Sequence, residues 1–216
     1  MKISAVLFRV RYWLLAPIAV LGFWSPWERV GGAHPGTTWL FLAGALARYR
    51  VLPIAYSSTA VMGLAILLAI LAAMLRTWVA AWQDRDLTRD APYRGIYFGL
   101  YLGLWLNMLA LAILMPPGGA LFAVVAVTAG IAVLVRAEKL GFSETRAEPR
   151  SVAGRERPRW GQALLREIYF WGVAITYIAF ASRYNVTVLE QGVLISVGAA
   201  VVVQGLLHRP PAHVAS

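Results

Sequence analysis

Apolar residues run along this chain in long blocks separated by short polar clusters, with no alternation of period two and few charges inside the blocks. Three of the blocks, Pro53 to Leu75, Gly95 to Met115 and Gly118 to Val135, are free of charge and hold about 18 to 23 residues each, close to the length that crosses a hydrocarbon core as a helix. Two further blocks lie near the C-terminus, 168–182 and 191–207, and one precedes them all, 12–27. Arg9, Arg11, Arg166, Arg183 and Arg209 flank these shorter blocks as snorkelling anchors, and Trp13, Trp24, Trp27, Trp171 and Tyr184 suit the interfacial aromatic belt. The pattern predicts an all-α integral membrane protein with about six transmembrane helices, at 12–27, 53–75, 95–115, 118–135, 168–182 and 191–207.

The residues between the blocks refine this. Thr38 to Ala47 is apolar but too short to cross, and Arg48, Arg50 and Pro53 stop it, so 38–47 is expected as an interfacial or re-entrant helix. "MPPGG" is a tight turn that makes 95–135 a helical hairpin. The stretch 136–167 is dense in charge and broken by Pro149, Gly154, Pro158 and Gly161, which reads as a cytoplasmic loop. Within its end, "WGQALLREIYFW" reads as a helix that starts at the interface with Trp160 and enters the membrane near Ile168. No internal repeat or change of composition marks a second domain, so residues 1–216 are expected as one membrane domain.

Composition agrees with a bilayer as solvent: 60% of the 216 residues are hydrophobic and 14% are charged. The net charge of +10 comes from basic residues beside the spans, where anionic headgroups account for it without nucleic acid. With a cytoplasmic N-terminus, six spans put all of the 20 basic residues but Arg29, Arg48, Arg50 and Arg183 on one side. Both termini are therefore expected in the cytoplasm of a bacterial-type inner membrane. The first block follows Lys2, Arg9 and Arg11 as a signal peptide would, but "GFWSPWERV" has bulky residues where a small-residue cleavage site belongs, so it is expected to stay as a span. The chain has no cysteine, and His34, His208 and His213 lack ligand spacing, so no metal site is expected.

Candidate chemistry centres on "PYRGIYFGLYLG", Pro92 to Gly103. Gly95, Gly99 and Gly103 recur every fourth residue on one helix stripe. Such a stripe lets a neighbouring helix approach closely, the small-xxx-small device of membrane helices. The same stripe can leave room for a ligand against the backbone, with tyrosine hydroxyls and Arg94 as polar contacts. Other polar residues in the spans have simpler roles: Asn107 and Gln204 suit interhelical hydrogen bonds, and the hydroxyls of "AYSSTA" suit bonds to their own helix backbone.

The segment resembles the signature of the isoprenylcysteine carboxyl methyltransferase and phospholipid methyltransferase families: PYR, two residues, Arg-His-Pro or Arg-Asn-Pro, one residue, then YLG, with a pair of glutamates a hairpin later. Pro92, Tyr93 and Arg94 match the first element, Tyr101, Leu102 and Gly103 the last, and Glu138 falls at the first glutamate. Tyr97, Phe98 and Gly99 stand where the family has Arg-His-Pro, and Lys139 where it has the second glutamate. "RPRWGQALLREIYFWG" is loosely similar to a C-terminal extension of some members.

The resemblance implies S-adenosylmethionine bound from the cytoplasm and a lipophilic substrate entering from the membrane. It places Tyr97, Gly99, Tyr101, Gly103 and Glu138 at the cofactor, and gives Arg94 and Glu138 the catalytic roles: the arginine orients a carboxylate acceptor, the glutamate meets the cofactor's amino group. Methyl displacement from a sulfonium needs alignment more than acid–base help, so so few polar residues could suffice. Two other readings stand beside this one. In the first, the fold persists as a non-catalytic lipid- or partner-binding protein. The second, a transporter, fits less well because the central portions of the predicted spans hold no ionisable residue.

Overall fold

The structure is a computed structural model that describes residues 15–23, 36–83, 94–144, 160–183 and 186–207. Those residues form eight helices and no strand: α1 (Leu15–Phe23), α2 (Thr38–Arg48), α3 (Ile54–Gln83), α4 (Arg94–Leu114), α5 (Pro117–Glu144), α6 (Trp160–Arg166), α7 (Ile168–Arg183) and α8 (Val186–Leu207). Among them, Ala55–Ala81 and Pro117–Arg136 are long and apolar enough to cross a membrane, and α6 with α7 makes a third candidate if that bent pair counts as one span. Helix therefore stands at each predicted block, and among the described residues two or three of these helices have the length and composition of a crossing.

Four boundaries differ from the sequence expectation, one of them at the last helix, which begins at Val186 rather than at 191. The helix predicted to end at Leu75 continues to Gln83, because Arg76 is accommodated inside the protein and "TWVAAW" after it is again apolar. The helix predicted to end at Val135 continues to Glu144, so the first part of the predicted 136–167 loop is helical. The single helix expected from Trp160 onward is two, bent by 69° at Glu167. Residues 12–14 and 24–27 of the first predicted span and 145–159 of the loop lie outside the described residues.

Side-chain size sorts the faces of α3. Ser57, Val61, Met62, Ala65, Ala69, Ala72, Ala73 and Ala80 are buried, at helical spacing, while Leu64, Leu67, Leu71, Met74 and Trp78 face outward. Small residues inside and large apolar ones outside is the arrangement of a helix whose solvent is lipid, where close backbone packing replaces the hydrophobic drive. Leu121, Val125 and Val133 on α5 and Leu194 and Ile195 on α8 are exposed in the same way.

The described chain groups into two compact units. One contains α1, α2, the start of α3 up to Ala65, the end of α4 from Met108, and α5. Here α1 lies on α5, with Gly22 against Met115 and Ala123. The backbone N–H and the Oγ1 of Thr38 both donate to the Met115 carbonyl at 2.8 Å, which ties the start of α2 to the turn after α4. That turn is set by Pro116 and Pro117: α4 cannot continue into two residues without N–H groups, and Pro117 suits the first position of α5. Trp39 donates its indole N–H to the Ser58 carbonyl at 2.9 Å. As expected for "AYSSTA", the Ser57 hydroxyl bonds backbone, 3.1 Å to the Pro53 carbonyl.

Helix α2 ends in a Schellman arrangement. The Val51 N–H donates to the Leu46 carbonyl at 3.0 Å and the Arg50 N–H to the Ala47 carbonyl at 3.1 Å. The position between them, where glycine is usual, is held by Arg50 at φ 54°. For a residue with a Cβ the left-handed conformation costs roughly 1 to 2 kcal/mol.

The other unit contains α3 from Ile66, α4 up to Asn107, α6, α7 and α8. Its tightest packing is the antiparallel pair α7 and α8. Gly172 receives Ser196 and Gly192 receives Thr176, each glycine lying against the other helix's hydroxyl residue. The two hydroxyls also bond their own helices, Thr176 to the Gly172 carbonyl at 2.8 Å and Ser196 to the Gly192 carbonyl at 2.6 Å, so neither hydroxyl is stranded in the seam.

Candidate functional site

Gly99 and Gly103 of α4 face α3 within the second unit. A Cβ on Gly99 would stand 2.7 Å from Val79 Cγ2, and one on Gly103 would stand 2.5 Å from Arg76 Cγ and 3.2 Å from the Ala72 carbonyl oxygen. The space over both glycines is filled by protein. Tyr101, between them in sequence, is buried.

Gly103 lets the arginine stem pass, and this positions a buried charge cluster. Arg76 Nε donates to Glu167 Oε2 at 2.6 Å, Nη2 to Glu167 Oε1 at 3.1 Å, and Nη1 to the Leu100 carbonyl at 3.3 Å. The guanidinium carbon also lies 4.2 Å from the centre of the Phe170 ring. Both charged side chains are under 10% exposed. Two parallel N–H···O bonds between a guanidinium and a carboxylate are the strong geometry for such a pair, and the aromatic face adds a cation–π contact.

Glu167 is the residue at which α6 gives way to α7. Its N–H still donates to the Ala163 carbonyl at 3.1 Å, and its carbonyl accepts from Phe170 at 3.0 Å, so the backbone stays bonded through the 69° bend. Neither proline nor glycine stands at the break; the residue there carries the buried carboxylate. Nearby, Trp171 donates to the Thr77 hydroxyl at 2.9 Å, and Thr77 to the Ala73 carbonyl at 2.8 Å. Ala80, Ala81 and Ala163 close the small-residue contact of α3 with α6. Alongside, Leu164, Leu165, Ile168, Trp171 and Ile175 line a wholly apolar cavity of about 270 Å³.

Of the residues singled out from the sequence, Gly99 and Gly103 thus lie on the α3-facing stripe of α4, while Tyr101, about half a turn around the helix from both, is buried away from that stripe. Arg94 opens α4 and Tyr97 follows one turn later, while Glu138 lies in the last part of α5; their side chains are outside the described residues, as are Pro92 and Tyr93 altogether. Arg76 and Glu167 are not legible as partners in the sequence because both fall just outside predicted spans, Arg76 after 53–75 and Glu167 at the end of the predicted loop 136–167. A usable signal was present in α3: Arg76 continues the spacing of Ala65, Ala69, Ala72 and Ala80, which puts it on the small-residue face rather than after it.

Comparison with protein-family models, with characterised proteins and with solved structures finds no match to this chain. Its function is therefore argued from its own residues and from the motif resemblance.

Proposed function

We propose that the chain is a six-span inner-membrane protein with both termini in the cytoplasm, and that it is an S-adenosylmethionine-dependent methyltransferase acting on a lipophilic substrate. What carries the reading is the sequence match of Pro92–Tyr93–Arg94, Tyr101–Leu102–Gly103 and Glu138 to the motif of membrane methyltransferases. Helix α4 stopping at Leu114 and α5 starting at Pro117 are consistent with the short turn that motif requires before its glutamate. The apolar cavity beside α6 and α7 is consistent with an acceptor whose main part is hydrocarbon.

The packing of α4 changes the roles within this proposal. Gly99 and Gly103 make room for Val79 and Arg76, so their part is to hold α4 against α3, and the cofactor contacts fall to Glu138 and Tyr97, with Arg94 orienting the acceptor. The test is transfer of labelled methyl groups from S-adenosylmethionine to a prenylcysteine or to phospholipid by the purified protein, with Glu138→Ala as the control. Transfer by the native chain and not by the variant supports the proposal, and transfer to neither acceptor counts against it.

One observation favours a second reading, a non-catalytic lipid- or partner-binding protein of the same fold. The stripe that the resemblance assigns to the cofactor is occupied by side chains of α3, as a purely architectural motif would be.

A further inference from the structure

The end of α2 forms a second candidate site, in the other unit. Gly44, Ala47, Arg48, Arg50, Leu52 and Pro53 line an open cavity of about 560 Å³. Arg48 and Arg50 are exposed, and among the described residues neither has a carboxylate partner. No Asp or Glu occurs in the sequence from Arg29 to Gln83. Two guanidinium groups on one small cavity repel each other unless an anion lies between them.

An ordinary account of cations at this position is that they offset the bare carbonyls of a helix C-terminus. The turn takes up two of those carbonyls, Ala47 accepting from Arg50 at 3.1 Å and Leu46 from Val51 at 3.0 Å, so less of the helix end is left for a cation to offset. The same bonds fix the turn, so the two arginines project from a rigid frame. Arg50 moreover holds the left-handed position that glycine fills without strain, and backbone strain kept at one residue points to a use for its side chain. Gly44 has open space where a Cβ would stand, which keeps the floor of the cavity clear. Leu40 and Phe41 on α2 are exposed apolar residues, suited to acyl chains beside a headgroup.

We propose that Arg48 and Arg50 bind the phosphate of an anionic phospholipid headgroup at the end of α2. Guanidinium forks match phosphate oxygens, and the neighbouring apolar surface selects a lipid over a free anion. In the proposed topology these are two of the four basic residues away from the cytoplasmic side, where charge-guided insertion does not account for them. That last point alone rests on the topology, and the site stands or falls independently of methyl transfer.

The test uses the full chain in neutral detergent, titrated with phosphatidylglycerol, with phosphatidylcholine and with inorganic phosphate, reading bound lipid by native mass spectrometry and the shift in Tm. Phosphatidylglycerol is expected to bind and stabilise. Arg48→Gln and Arg50→Gly should each weaken it by roughly fivefold, from the attraction one basic residue supplies near an anionic surface. Arg50→Gly should at the same time raise the Tm of the lipid-free protein, because glycine relieves the left-handed backbone. Equal binding of phosphatidylcholine, unchanged affinity in the double variant, or equal stabilisation by inorganic phosphate would overturn the assignment to an anionic lipid.

Discussion

Arg76 and Glu167, 91 residues apart in sequence, meet through two hydrogen bonds of 2.6 and 3.1 Å and join α3 to the bend between α6 and α7. Removing one partner leaves the other charged, buried and unpaired, a loss of about 3 to 5 kcal/mol. Glu167→Ala and Arg76→Ala are each expected to lower the Tm in detergent sharply. Replacing both by apolar residues of similar size, Arg76→Met with Glu167→Leu, should recover most of the loss, since a well-packed apolar pair avoids the desolvation of two charges. Thermal unfolding of the four proteins checks this.

Gly103→Ala should destabilise more than Gly99→Ala. The new methyl at 103 meets the Arg76 stem, which Glu167 holds in place, and the Ala72 backbone; at 99 it meets one methyl of Val79. Overpacking of this kind costs about 1 to 3 kcal/mol, against roughly 1 kcal/mol gained from the better helix propensity of alanine. Gly103→Ala is therefore a net loss and Gly99→Ala close to neutral, measured as the shift in Tm.

These two pairs mark what the sequence could and could not convey. The positions of the helices were legible because apolar blocks and Pro-Gly punctuation report local structure, and "MPPGG" ended α4 where it was expected to. The use of Gly99 and Gly103 was legible only as an alternative, since a stripe of glycines is the same whether a helix or a ligand lies on it. Arg76 falls outside the predicted span 53–75 because a single charge ends a charge-free run. Its partner is 91 residues away, and a long-range pair leaves no mark in local periodicity. The Gly172–Ser196 and Gly192–Thr176 contacts went unnoticed for the same reason: each helix shows half of the motif.

That seam gives a register test. The chain has no cysteine, so introduced pairs can be read without background. Gly172→Cys with Ser196→Cys should form a disulfide on mild oxidation once the helices part by about an ångström, because the two positions face each other across α7 and α8 and a Cβ at 172 would stand 2.7 Å from that of Ser196, closer than the roughly 3.8 Å of a disulfide. Gly172→Cys with Gly192→Cys, one helical turn out of register, should remain reduced to thiol labelling.

Tyr177 is fully buried and its hydroxyl has no hydrogen-bond partner among the described residues. Burying an unpaired hydroxyl costs about 1 to 3 kcal/mol. Tyr177→Phe keeps the ring packing and removes that cost, so it should leave the Tm unchanged or raise it. A fall in Tm would mean that the hydroxyl is paired in the folded protein.

The central claim is a cofactor held by Glu138, and the direct measurement is titration calorimetry of S-adenosylmethionine into the detergent-purified protein and its Glu138→Ala variant. Saturable binding to the native chain, weakened by the substitution while Tm is kept, is the predicted result. No binding by folded native protein would contradict it and leave the helices of Arg94 to Glu144 as architecture alone.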